Sequence, residues 1–329
     1  KKKEKKRNKK RCQITNRNLH IKNTREGGKK MKILVIGSIN MDLVTYMPHL
    51  PKEGETLLGT SFMQNPGGKG ANQACAAGLL GADVTFLGAV GKDEHADSLR
   101  KILLDCKVKP VLKVVNYVRT GIASILIEEE THDNRIIVVP GANHQLLKED
   151  IDQNIQLLKS CDIIVTQLEI PISTVEYIAK KAEEFHKVLI LNPAPAYSLS
   201  PEVFKSVTYF TPNETELGFY ANMEIHDEIS LEKATKILHK KGVKNLLVTL
   251  GSKGVYWSNG NHTKLIPAFK VQAVDTTAAG DCFNGAFATF LEEGYSEEEA
   301  ISLAEKASSI AVQRKGAIPS LPTKSEVFN

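Results

Sequence analysis

Residues 67–91 read GGKGANQACAAGLLGADVTFLGAVG and pass in order through a glycine loop, a helix and a strand. Gly67, Gly68 and Gly70 interrupt regular structure and allow a ligand or a second segment to approach the backbone closely. From Ala71 to Leu80 the run is rich in Ala and Leu, the strongest helix formers. After Gly81 and Ala82, residues 83–89 form a β-rich apolar run. The same rhythm extends outward in both directions. Strand-like runs occur at 33–36, 163–167, 188–191, 209–210 and 246–249, with helix-length patterns at 173–185 and 231–241. Several runs are continuously apolar, as parallel strands buried on both faces must be. Strand, helix and strand in repetition predict a central parallel sheet covered by helices.

Two stretches break that rhythm. Residues 46–63 are turn-rich, with Pro48, Pro51, Gly54 and Gly59. Residues 120–139 carry two strand-like runs, 122–127 and 135–139, divided by the polar 128–134, which is a hairpin pattern. Together they make either a small antiparallel sheet set apart as a lid, which would exclude water from a reaction, or edge strands of the main sheet.

The net charge of +5 hides an asymmetry: residues 1–30 carry fourteen Lys or Arg and two Glu, a net +12, and the remainder is net −7. The first thirty residues have neither the apolar stretch of a secretory signal nor the composition to bury a core. They are expected to be a basic, disordered extension outside the native fold, since Met31 opens the strand-like MKILVIGSIN, and Arg25-Glu26-Gly27-Gly28 is what a purine-rich ribosome-binding site would encode. The other reading is a nucleic-acid-binding arm. No run of eighteen apolar residues is present, which excludes a membrane-spanning helix. Cys12, Cys75, Cys106, Cys161 and Cys282 are dispersed without a CxxC pair. They read as free thiols of a reducing compartment, the cytoplasm, not as a disulfide framework or zinc site.

Two glycine-containing motifs could carry chemistry. In residues 65–73, NPGGKGANQ, the amides at a helix start favour electronegative ligand atoms, and Lys69 and Asn72 add polar side chains on one turn. A plain tight turn explains such a loop equally well. It is not a GxxxxGK[ST] loop, and Gly37-Ser38-Ile39-Asn40 lacks the later glycines of a dinucleotide fingerprint. The second motif, residues 275–288, reads DTTAAGDCFNGAFA; small residues lead directly into an apolar helix near Asp281. Backbone amides there would stabilise developing negative charge, and Asp281 is either a proton acceptor or an ordinary helix N-cap. Asn40 and Asp42 follow the first strand, where open parallel sheets bind ligands; they bracket vicinal hydroxyls or form an Asx turn. TPNETE (211–216) and TLGSKG (249–254) follow other strands, so a site along one edge of the sheet is expected.

With both motifs in place, and with GSINMD, QLEIP, LNPAPA, TPNETE, VTLGSKGV and RKGAIPS between and around them in order, residues 31–329 resemble the ribokinase-like (phosphofructokinase-B) family of carbohydrate kinases. The resemblance implies a three-layer α/β/α domain with a mainly parallel central sheet and a small β-sheet lid near 41–65 and 117–140. It implies ATP-dependent phosphorylation of D-ribose at O5, in the cytoplasm, by a homodimer joined through its lids, with neither nucleic acid nor membrane as partner. Asn40, Asp42, Gly68, Lys69, Gly70, Ala71, Asn72 and Glu169 would bind the sugar. Asp281 would be the catalytic base, and the amides of Ala278, Ala279 and Gly280 the anion hole. For ATP the matching positions are Asn213, Thr249, Leu250, Gly251, Ser252, Lys253, Gly254, Gly280 and Asp281. Glu216, in an NxxE pattern, would organise Mg²⁺ through water. Asp275, Thr277, Ala311, Arg314, Gly316 and Ser320 match a K⁺ site, Arg314 through its carbonyl alone. One departure is Glu305, which stands near the expected adenine position, where His or Asn is usual; its carboxylate either affects nucleotide preference or points to solvent. Rival expectations are another acceptor, such as deoxyribose or another pentose or ketose, and a non-catalytic sugar-binding regulator.

Overall fold

The structure is a computed structural model and describes residues 32–131 and 133–329, so the expectation for residues 1–30, with Cys12, lies outside the described residues. In chain order the strands are β1 (Lys32–Ile36), β2 (Asn40–Met47), β3 (Ser61–Gly67), β4 (Asp83–Gly91), β5 (Lys109–Val115), β6 (Gly121–Glu128), β7 (Asn134–Val139), β8 (Ile163–Thr166), β9 (Val188–Leu191), β10 (Tyr209–Phe210), β11 (Asn245–Thr249), β12 (Val255–Ser258) and β13 (Thr263–Ile266). Nine form the main sheet, in the order β13-β12-β11-β10-β9-β8-β1-β4-β5. Pairing is parallel from β5 through β11, and at the other edge β12 pairs antiparallel with both β11 and β13.

β1 shows why the strands read as unbroken apolar runs. Successive side chains alternate between faces, so Ile33 and Val35 enter one core and Leu34 and Ile36 the other. Helices Lys69–Leu79, Glu94–Asp105, Ala279–Glu292 and Glu297–Ala311 supply the first core; Ile172–Glu184, Pro201–Ser206, Glu214–Ala221 and Glu228–Lys241 supply the second. Three layers result. Among the described residues, no helix is long and apolar enough to cross a membrane.

The smaller, four-stranded sheet, expected to be a lid, has the order β3-β2-β6-β7. The expected all-antiparallel sheet is corrected at its centre, where β2 pairs with β6 in parallel; the outer pairs, β2 with β3 and β6 with β7, are antiparallel. The cause is topological. β2 and β6 leave the body through short connections from β1 and β5, which already run in the same direction. β2 is also longer than the sequence suggests, since it begins at Asn40, with only three residues between it and the end of β1.

One contact sets the geometry of the site. A Cβ on Gly285 would lie 2.4 Å from the Gln73 carbonyl oxygen and 2.7 Å from Ala76 Cβ. Glycine there lets the helix Ala279–Glu292 approach the helix Lys69–Leu79 to backbone distance. Fully buried Phe283, Phe287 and Phe290 anchor the first of these helices; truncating such a ring to Ala costs about 3–5 kcal/mol.

Candidate active site

The glycine loop lies against the connection between β1 and β2. Gly68 has φ of 91°, and a Cβ there would meet Asn40 N and Ile39 Cα at 2.8 Å each. The Ala71 amide donates to the Ser38 carbonyl at 2.9 Å. Beside it, one Glu169 oxygen accepts from Ser38 Oγ at 2.5 Å and from the Lys69 amide at 3.2 Å. Asn40, Asp42, Gly68, Lys69, Gly70, Ala71, Asn72 and Glu169 are therefore brought together from a strand, a loop and a helix start. Asn40 Oδ1 accepts from buried Asn143 Nδ2 at 2.7 Å, and Asn143 also bonds both backbone groups of Ile39. Burial, with Glu169 and Asp281 nearby, pushes the Asp42 carboxyl up to about 7.

Asp281 is the third residue of the helix Ala279–Glu292 and is buried. The N-cap alternative fails, because the cap position is Ala278, in the left-handed region at φ 60°, and no side chain caps the helix. Instead the two Asp281 oxygens accept from Asn72 Nδ2 at 2.9 Å and Gln73 Nε2 at 3.0 Å. Burial raises the carboxyl above its ordinary range, opposed by Lys69 and these two amides. Asn72 Oδ1 is a buried acceptor with no hydrogen-bond partner. Of the expected anion-hole amides, that of Ala279 is committed to the Thr276 carbonyl at 3.2 Å. The Gly280 and Asp281 amides head the helix, where no intrahelical acceptor exists.

A cleft of about 230 Å³ opens beside Asp281. Lys69, Asn213, Glu216, Thr249, Gly280 and Asp281 line it, together with Ala278 and Ala279. Leu250, Gly251, Ser252, Lys253 and Gly254 continue from Thr249 as a turn closed by the Leu250 amide on the Gly254 carbonyl at 2.8 Å. Burial works against charge on Lys69, but Asp281, Glu169 and Glu216 together hold its pKa above the usual lysine value. Asn213 caps the helix Glu214–Ala221: its Oδ1 accepts from the Glu216 amide at 2.8 Å, and Glu216 Oε2 accepts from the Asn213 amide at 2.9 Å. Of the Asn213 side chain, the Nδ2 group is the part left to face a nucleotide. Glu216 is buried, not the surface residue that a simple helix start implies, and burial raises its carboxyl. Among the described residues no group of three or more His, Cys, Asp or Glu could hold a metal ion. One carboxylate fits a Mg²⁺ that keeps its waters and binds chiefly to phosphates.

Of the candidate K⁺ residues, Asp275, Thr277 and Gly316 are brought together. Asp275 accepts from the Thr277 amide at 2.9 Å and the Gly316 amide at 2.8 Å, and the Val312 carbonyl bonds the Asp275 amide at 3.1 Å. Ala311, Arg314 and Ser320 stand on the same turn-rich segment. The Arg314 guanidinium is turned onto Glu326, which leaves its carbonyl as the group of Arg314 that a hard cation would take. Glu305 is corrected in part. It does not point to solvent but is buried on the helix Glu297–Ala311, where burial alone pushes its carboxyl to about 7, and it is not part of the cleft wall.

Several polar residues reach the site without a clear sequence signal. Asn192, Thr211 and Asn284 line the cleft, and Gln167 sits behind it. Gln73 and Ser38 had a readable one, being polar residues inside the glycine strings GANQ and GSIN.

The profile of the pfkB family of carbohydrate kinases matches residues 30–324. A ribokinase of Haemophilus influenzae is 40% identical over 297 residues, covering 90% of this chain and 97% of that protein. A deoxyribokinase of Salmonella typhi is 38% identical, covering 91% of this chain and 98% of the other. The structure of Arabidopsis thaliana ribokinase complexed with ribose and ATP superposes with a TM-score of 0.87 at 34% identity, covering 91% and 98%. A profile spanning nearly the whole described chain, with full-length relatives at this identity, establishes membership: the chain belongs to the pfkB family of carbohydrate kinases.

Proposed function

We propose that this enzyme transfers the γ-phosphoryl group of ATP to O5 of D-ribose, giving ribose 5-phosphate and ADP. The observation that carries the reading is Asp281: a buried carboxylate with both oxygens held by amide donors, between a cluster of sugar-type ligands and a cleft headed by helix amides. Asn40, Asp42, Asn72 and Glu169 suit a hydroxyl-rich acceptor. Asp281 takes the O5 proton as the O5–phosphorus bond forms and the bond to the β-phosphate oxygen breaks. Lys69 and the Gly280 amide offset charge on the transferring group, in chemistry that depends on positioning and electrostatics. Glu216 would hold Mg²⁺ through its waters, and the ion would supply charge neutralisation on the phosphates; K⁺ would be held by Asp275, Thr277, Ala311, Gly316, Ser320 and the Arg314 carbonyl. Thr249 and its following turn, with Asn213, flank the nucleotide.

The lid segments near 41–65 and 117–140 close over the sugar, and residues 31–329 carry the activity. The lid exposes Phe62, Met63, Ile136, Ile137, Val138 and Val139, an apolar surface that a second copy of the chain would cover. Cys75, Cys106, Cys161 and Cys282 are buried free thiols, in keeping with a reducing cytoplasm. The deoxyribokinase relative favours a second reading in which the acceptor lacks the 2-hydroxyl. A coupled ADP-release assay over pentoses, hexoses and nucleosides, with and without K⁺, decides. Preferred turnover of ribose is expected; preferred turnover of deoxyribose selects the second reading, and binding without turnover of any acceptor overturns both in favour of a sugar-binding regulator.

A further inference from the structure

Asp281 is held by a closed circuit of uncharged side chains. Gln73 is fully buried and donates through Nε2 to Asp281 Oδ1 at 3.0 Å and to Asn192 Oδ1 at 3.2 Å. Its Oε1 accepts from Gln167 Nε2 at 2.6 Å. Asn192 Nδ2 donates to the Thr211 carbonyl at 3.1 Å; Thr211 Oγ1 donates to Asn284 Oδ1 at 2.7 Å. Asn284 Nδ2 then donates to the Gly280 carbonyl at 2.8 Å, one residue from Asp281. Gln167, Asn192 and Thr211 each stand immediately beyond β8, β9 and β10, three adjacent strands of the main sheet. The Gln73 amide has only one workable orientation. Reversed, its oxygen would face two acceptors and its nitrogen the donor of Gln167.

We propose that Gln73 is a positioning residue for phosphoryl transfer, tying the Asp281 carboxylate and the Gly280 turn to the ends of three strands so that one carboxylate edge faces the acceptor hydroxyl. Gln73 lies behind the cleft wall, not in it, so it acts through Asp281. Because it bonds Oδ1, the edge carrying Oδ2, shared with Asn72, is the one left for substrate. The charged groups that face Asp281 are Lys69, Glu169, Asp42 and Glu216. None of them fixes its rotation, since among the described side chains it is hydrogen-bonded by Asn72 and Gln73.

This inference rests on the kinase reading, and the test separates the two. Full-length wild type, Gln73→Met and Gln73→Glu are compared by ADP release with ribose and ATP across pH. Absence of turnover in wild type would defeat the kinase reading itself. With wild type active, Gln73→Met should lose roughly 10- to 100-fold in kcat, with both KM values within about threefold. Gln73→Glu keeps the shape but places two carboxyls side by side. It should work at low pH, where one shared proton preserves the bond, and lose activity on a new alkaline limb where wild type remains active. If Gln73→Met fails to fold, the Gln73→Glu profile decides. A kcat within twofold of wild type for Gln73→Met, or a Gln73→Glu profile parallel to wild type, would overturn the proposal.

Discussion

The floor of the site and its lid side are built in opposite ways. On the floor, Asp281, Gln73, Asn192, Thr211 and Asn284 are buried and joined by hydrogen bonds that close a circuit through the Thr211 and Gly280 carbonyls. On the lid side, Asp42 is half-buried on β2, flanked by Glu169 and Asp281, with its carboxyl pushed to about 7. Farther out, β7 is exposed along its whole length. Rigidity sits where protons and phosphoryl groups must be aligned. Unmet polar and apolar demand sits where a sugar and a second chain would meet it. Substitutions on the floor should therefore act on turnover, and those on the lid side on sugar affinity.

The largest expected effect is on the floor. Asp281→Asn should lower kcat by about 10²- to 10⁴-fold, while calorimetric titration gives a ribose affinity within about threefold of wild type. Equal losses of binding and turnover would erase the distinction between floor and lid. Next, Asp42→Ala should raise the ribose KM roughly 10- to 100-fold, the value of hydrogen bonds to a charged group, with kcat changed far less. Third, Ile137→Glu places a charge on an exposed apolar lid residue. Light scattering should then report monomer in place of the proposed dimer, with the ribose KM raised by about tenfold or less and kcat nearly unchanged.

The smallest effect is on stability. Asp42 and Glu305 both keep a proton in the folded protein up to about pH 7, whereas the unfolded chain loses it near pH 4. The folded state binds more protons in that interval, so stability falls as pH rises from about 4 to about 7 and then levels off, by at most about 1.4 kcal/mol per pH unit for each group. Without sugar, Asp42→Asn should melt about 2 °C or more above wild type at pH 8 and close to it at pH 4. An unchanged difference between the two pH values would place Asp42 in water instead of in a half-buried cluster.

Much of this arrangement was legible from residue types alone. The apolar runs of β1, β8 and β9 announce a parallel sheet because burial on both faces removes any alternation. The glycine loop and the DTTAAGD turn mark themselves because small residues are required where backbone meets backbone or ligand. The parallel pairing of β2 with β6 leaves no such mark, since partner and direction are set by chain exits some eighty residues apart. Glu216 and Asn213 look like nucleotide residues in the string, yet their reciprocal cap bonds are already made within the protein. Gln167, Asn192 and Thr211 are single polar residues after apolar strands. Only the sheet order reveals that their ends are adjacent.

The most direct measurement is phosphorus NMR of the product formed from ribose and ATP by the wild-type enzyme. A single phosphomonoester whose signal is split by the C5 methylene protons, appearing in step with ADP, is the predicted result. Phosphate coupled to the anomeric proton, or inorganic phosphate released in place of a sugar ester, would contradict the assignment of Asp281 to the O5 hydroxyl.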